Sequence, residues 1–296
     1  MTGSGAATLA KELVSLADTT FSSGLIERSA AAFASGVPEG PGDDSLFGPA
    51  SVTWRVSADL ASPVAVLRSL LMQALHPGSL GRLAATTAYL ATVTFGERAV
   101  AERAAARVRR VHDRVRGVDA VTGRRYAAGD PALLLWVHGA LVDSFLATGN
   151  LVGTALRAAD SNRYVAERVT AAELTGVPRR LVPSNVPELD LYIASVRPGL
   201  RCTPAAAESM AYLLDPPDLD EDIAEIWQDI CDAAIAVLPR WARRMYGYDA
   251  PPPMTPGRRT EIRQSLGVLD AMFLGQPDVL EARQRITLRM RKARRA

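Results

Sequence analysis

The chain reads as an all-α protein, a single multi-helix domain over residues 1–296. Three observations lead there. Apolar residues recur at the three- and four-residue spacing of helices along most of the sequence. Ala and Leu, strong helix formers, dominate the segments so marked. No run of alternating β-branched residues is long enough to suggest a sheet. With 296 residues, 48% hydrophobic and 22% charged, the chain has a globular composition and the length for a large core.

Gly and Pro clusters divide the sequence into helices expected over about 5–20, 22–35, 62–75, 79–94, 97–116, 131–148, 157–175, 186–196, 204–214, 221–245, 257–272 and 277–294. Gly117 stands where a C′ glycine would close the 97–116 helix. Asn185 and Glu188, three residues apart, have the N-cap and N3 spacing that opens 186–196. The strongest break is the loop 36–50, GVPEGPGDDSLFGPA, and the segment before it is too short for a domain of its own. From Glu281 the tail is basic: Arg283, Arg285, Arg289, Arg291, Lys292, Arg294 and Arg295. No aromatic residues are interleaved, so a solvated basic helix over about 277–296 is expected rather than a nucleic-acid patch.

Net charge is only +2, and Lys11 and Lys292 are the only lysines. Arginine suits anionic groups through its planar fork of donors, although a GC-rich genome would give the same bias. Cys202 and Cys231 make no disulfide framework, and neither has a CxxC partner or a nearby His for zinc. The N-terminal stretch lacks the charged start and continuous apolar core of a signal peptide, so a cytoplasmic protein is expected. Residues 131–156 are apolar enough to suggest a membrane span. His138, Asp143 and Asn150 interrupt them, and a charge at mid-bilayer is costly, so a buried core helix is expected.

No GxGxxG or Walker A loop supports nucleotide binding, and no GxSxG elbow supports an α/β-hydrolase. A ferritin-like di-iron site needs Glu three residues before His; Gln73, Arg109 and Leu135 stand there instead. Three histidines remain as candidates. His112 borders the stripe Ala104, Ala105, Val108, Val111 and Val115, with Arg109 three residues before it and Arg116 four after. A neutral imidazole between two guanidinium groups suits haem, the ring on iron and the arginines on propionates. A partly buried His on an Arg-rich helix is the other reading. His138 lies beside the face of Leu134, Val137, Leu141 and Phe145, as a haem-pocket residue or as a buried His bonded to a carbonyl or carboxylate. His76 precedes Pro77 and should close the 62–75 helix.

The segments LFGPASVTWR, LRSLLMQALHPG, RLAATTAYLATVTFG, RVRRVHDRVRG, YAAGDPALLLWVHGALVDS and LTGVPRRLVPSNVPELDLYI, in this order, resemble the successive motifs of the latex-clearing protein and MpaB oxygenase family over about residues 47–196. The resemblance implies an all-helical, globin-like core, haem b as cofactor, dioxygen as co-substrate and a small hydrophobic, isoprenoid-like substrate. It also implies that His112 is the proximal iron ligand, flanked by Arg109 and Arg116, and that Arg82 and Thr86 lie on the distal side. Ala85 stands where the latex-clearing branch has a distal Lys, and the 62–75 helix carries no counterpart of its distal acid. Other readings stay open: a haem-binding sensor or carrier without turnover, a non-haem iron enzyme using His76, His112 or His138 with Asp143, and a cofactor-free helical scaffold.

Overall fold

The computed structural model describes residues 34, 37, 44–76, 84–118, 123, 125–216, 219 and 221–295, with backbone only for 84–88 and 222. The helices expected over 5–20 and 22–35 lie outside this set, apart from residue 34. Among the described residues there are twelve α-helices and one two-stranded hairpin, an all-α fold. In chain order the helices are α1 (Val52–Ser57), α2 (Ser62–Ala74), α3 (Ala84–Phe95) and α4 (Arg98–His112). The hairpin β1 (Arg116–Val118) and β2 (Arg125–Ala127) follows. Then come α5 (Pro131–Leu151), α6 (Ala158–Thr175), α7 (Val186–Val196), α8 (Pro204–Leu214) and α9 (Glu221–Ala236). The chain ends with α10 (Arg240–Met245), α11 (Pro256–Leu274) and α12 (Pro277–Ala293).

Local chemistry explains most boundaries. Asp130 caps α5 by accepting from the Ala132 amide, and Pro131 takes the first helical position, where no amide partner is needed. Asn185 caps α7 by accepting from the Glu188 amide at 2.9 Å, as its spacing predicts. Glu188 reaches back to the Ser184 amide and hydroxyl, which, with the Asn185 side chain, hold its carboxyl below the usual carboxylate range. The single helix expected over 221–245 is two, because Pro239 lacks an N–H and forces an extended backbone between α9 and α10.

The other correction falls at the motif around His112. The helix ends at His112, not at residue 116, with Asp113 as its cap. Arg116 and Gly117 instead begin a strand in antiparallel register with Ala127 and Tyr126. Gly117 is no helix terminator: a Cβ there would stand 2.7 Å from the Tyr126 ring, so the missing side chain lets the ring lie across the strand.

The centre of the molecule is α2 against α5. Val64, Leu67, Leu71 and Met72 of α2 pack with Trp136 and Ala140 of α5, and with Ile230 and Ala233 of α9 and Ile262 and Leu266 of α11. The carbonyls that α2 leaves unpaired at its C-terminal end are satisfied from elsewhere. Tyr246 Oη donates to Leu71 O, Trp136 Nε1 to Gln73 O and the Arg201 amide to Leu75 O. Buried Arg68 ties α2 to α5 and to the end of α9. It pairs with Asp143 at 2.7 Å and donates to Ser144 Oγ and to Val237 O. Thus α5, the one described helix long and apolar enough to cross a membrane, is packed on several sides within the fold and carries an ion pair.

The basic C-terminal helix α12 is not solvated all round. Val279, Ala282 and Ile286 are buried, the last two against Trp54 and Phe95. Trp54 and Phe95 meet edge to face at 5.2 Å, so chain segments far apart in sequence share one aromatic cluster.

Candidate active site

Eight helices line an apolar cavity of about 370 Å³, partly open to solvent and within the size range of small-molecule sites. Its walls are Val66, Leu67 and Leu70 of α2, Leu90, Ala91, Thr94 and Phe95 of α3, and Leu141 and Phe145 of α5. Tyr164 and Arg168 of α6, Ile226 and Trp227 of α9, and Leu266, Leu269 and Phe273 of α11 complete most of the lining. Ser57 at the end of α1 and Val279 and Arg283 of α12 close the rim.

The wall carries few charges, and all but one have hydrogen-bond or ionic partners among the described residues. Asp59 accepts from the amides of Ala61 and Thr154, and Asp270 pairs with Arg283 at 3.2 Å. Arg168 is the exception. It is only 4% exposed, its Nε is buried without a hydrogen-bond partner, and no carboxylate among the described residues pairs with it. Its neighbour Glu167 points away, accepting from the Val52 and Thr53 amides at the start of α1 and from Arg163. Arg168 lies over the Phe47 ring at 5.5 Å, a cation–π contact that holds the guanidinium but does not neutralise it. Taking an ion out of water costs several kcal/mol, and arginine does not escape by losing its proton.

Around Arg168 the fold gathers a group of polar side chains. The Tyr89 hydroxyl on α3 is buried without a partner. Burial pushes its phenol up to about 12, against the opposing pull of Arg168 and Arg109. His138, on α5, is half-buried by surface area, and desolvation, then the Arg168 charge, holds it down at about 3. It is therefore a neutral imidazole throughout the physiological range. Arg109, Tyr89, Arg168 and His138 thus form one electrostatic neighbourhood, drawn from α4, α3, α6 and α5.

The residues expected at the site are not all brought together. His112 is the last residue of α4, half-buried, with Nδ1 shielded from solvent and Gly129 packed against its Cβ. It does not line the apolar cavity. Arg109 donates to Leu174 O near the C-terminus of α6, where a cation is favoured by the helix dipole. Arg116 is exposed on β1, off the helix that carries His112. Arg82 and the side chain of Thr86 lie outside the described residues. The backbone of α3 nonetheless places Leu90 on the cavity wall one helical turn after Thr86. Asp143, offered as a ligand for non-haem iron, is committed to Arg68, and no three His, Cys, Asp or Glu side chains cluster among the described residues.

Sequence reasoning missed Arg168 and Tyr89. Both sit in segments rich in their own residue type or in apolar neighbours, and neither has a motif. The only available signal was the RYVAERVTAAELT pattern, in which Arg168 falls on the buried face with Tyr164, Val165 and Ala172. Burial of an unpaired cation shows only in three dimensions.

The fold and site define an all-α protein with an apolar cavity and, on its wall, a buried arginine that no carboxylate among the described residues pairs with. The family is more specific: the chain matches the model for the ER-bound oxygenase mpaB/B′ and rubber oxygenase catalytic domain over residues 54–271, and it belongs to that family. No curated protein and no solved structure matches it.

Proposed function

We propose that the chain is a haem b-dependent oxygenase that acts on a small hydrophobic, isoprenoid-like substrate held in the apolar cavity. The observation that carries this reading is the span of the family match, which includes the cavity wall from Ser57 to Asp270. Residues of this structure fit the cofactor in two respects. His112 offers an imidazole with one nitrogen shielded from solvent, and the fold supplies two cations, Arg109 and Arg168, near the Tyr89 hydroxyl, with a neutral His138 near Arg168. Bound haem supplies redox-active iron for dioxygen chemistry.

In this reading His112 would hold the iron, with Arg109 on the same helix and Arg82 and Thr86 on the distal side, while Arg116, exposed on β1, would stand apart from it. His138, neutral at working pH, serves as a hydrogen-bond partner and not as a source of protons. The Tyr89 hydroxyl, also protonated, is a second donor that desolvation leaves available. Apolar walls exclude water and orient the substrate by shape, which keeps reactive species from solvent.

The test is a visible spectrum of the protein titrated with haem. A one-to-one Soret band that His112→Ala abolishes or shifts is expected; no band, or one unchanged in the variant, overturns the assignment. Ala85, in place of the Lys of the latex-clearing branch, favours a second reading in which haem is bound without turnover. Oxygen consumption with reductant and a terpenoid substrate separates the two.

A further inference from the structure

We propose that Arg168 anchors the carboxylate of an otherwise apolar ligand, whose body fills the cavity between α2, α3, α9 and α11. The inference deepens the cavity's reading as a substrate site and rests on it, but it requires no iron. Three observations meet at one atom group. Arg168 is buried and lines the cavity. Its Nε has no partner, and the carboxylates on the same wall, Asp59 and Asp270, are already occupied. Almost every other lining side chain is aliphatic or aromatic.

A guanidinium is a fork of donors with no acceptor, and a carboxylate is the group that matches it with two parallel hydrogen bonds. The ligand must therefore be an acid at one end. A neutral alcohol or hydrocarbon would leave the cation desolvated and unpaired. Phe47 stacks on the guanidinium and limits its swing, so the anchor is already oriented before the ligand arrives. At roughly 30 Å³ per water-sized group, the volume holds about a dozen non-hydrogen atoms. A medium-chain or short isoprenoid acid meets that size. A porphyrin propionate offers the same chemistry to the same arginine.

Calorimetric titration of the haem-free protein with decanoic acid, 1-decanol and methyl decanoate tests the anchor, repeated on Arg168→Met and Arg168→Lys and on haem-loaded protein. The acid is expected to bind about tenfold or more tightly than the alcohol and the ester, as a charge-assisted hydrogen bond implies. That preference should vanish in Arg168→Met and survive in part in Arg168→Lys. A parallel haem titration of Arg168→Met reads the other source. If haem affinity falls about tenfold while decanoate shows no preference, the anchored carboxylate is a propionate. Equal binding of acid, alcohol and ester by the wild-type protein, together with unaltered haem affinity in Arg168→Met, overturns the proposal. The wild-type acid-to-alcohol ratio stands even where a variant fails to fold. Failure of the haem spectrum leaves the decanoate result intact, so the two readings fall separately.

Discussion

His138 shows how one desolvated side chain sets a pH dependence for the whole molecule. In the folded protein the imidazole stays neutral down to about 3, because burial and then Arg168 disfavour its charge; an unfolded chain protonates it near 6.5. Between those values the unfolded state binds the extra proton, so stability falls as pH falls through this window and is unaffected above it. Between pH 7 and 4.5 the loss from this group is about 2–3 kcal/mol. Urea denaturation at both pH values checks it: His138→Phe should lose that much less than the wild type. Arg68 is the counterpart, a buried cation neutralised by Asp143 and bonded to Ser144 Oγ and Val237 O, whereas Arg168 has no carboxylate partner among the described residues. Cys231 is a buried thiol pushed up to about 12 by desolvation, a packing residue with little nucleophilic character.

At the scale of elements, two glycines inside helices predict opposite outcomes for the same substitution. In α5, a Cβ on Gly139 would approach the Tyr192 ring of α7 to 2.9 Å, so the glycine is what lets α5 and α7 lie close. Gly139→Ala should lower stability by about 1 kcal/mol, since the displaced ring outweighs the helix propensity gained. In α11, a Cβ on Gly267 meets nothing within 4 Å. Gly267→Ala should raise stability by about 0.5–1 kcal/mol through propensity alone. Thermal unfolding of the two variants side by side reads the contrast. The start of α1 depends on α6 in the same physical way. Ser51 accepts from the Trp54 amide, and Glu167, from a distant helix, accepts from the two amides the serine leaves.

Across the whole molecule, α12 packs against α1 and α3. Ile286 and Ala282 seal the Trp54–Phe95 cluster while Val279 and Arg283 close the rim of the cavity. Ile286→Ala should therefore cost about 3 kcal/mol, the range for a truncated core aliphatic, whereas Arg291→Ala on the exposed face should stay within about 0.5 kcal/mol. Guanidinium denaturation of both variants measures the difference. A cavity whose wall draws on eight helices also links ligand binding to global stability. A ligand at a hundredfold excess over its Kd should add about 2.7 kcal/mol.

Periodicity and punctuation determined the helical class and most helix positions, because a helix's apolar stripe and its caps are local properties: Asn185, Pro131 and the 204–214 segment were legible without a fold. The order of motifs identified the family for the same reason, since motifs are contiguous. Only tertiary structure decided where α4 stops, because the hairpin that takes Arg116 and Gly117 is paid for by strand pairing and by the Tyr126 ring across the glycine. It alone decided that the basic tail has a buried face, and that Arg168, one arginine among many in the sequence, is buried on the cavity wall with no carboxylate among the described residues paired to it. Burial and charge pairing arise between residues distant along the chain, so no spacing along the sequence encodes them.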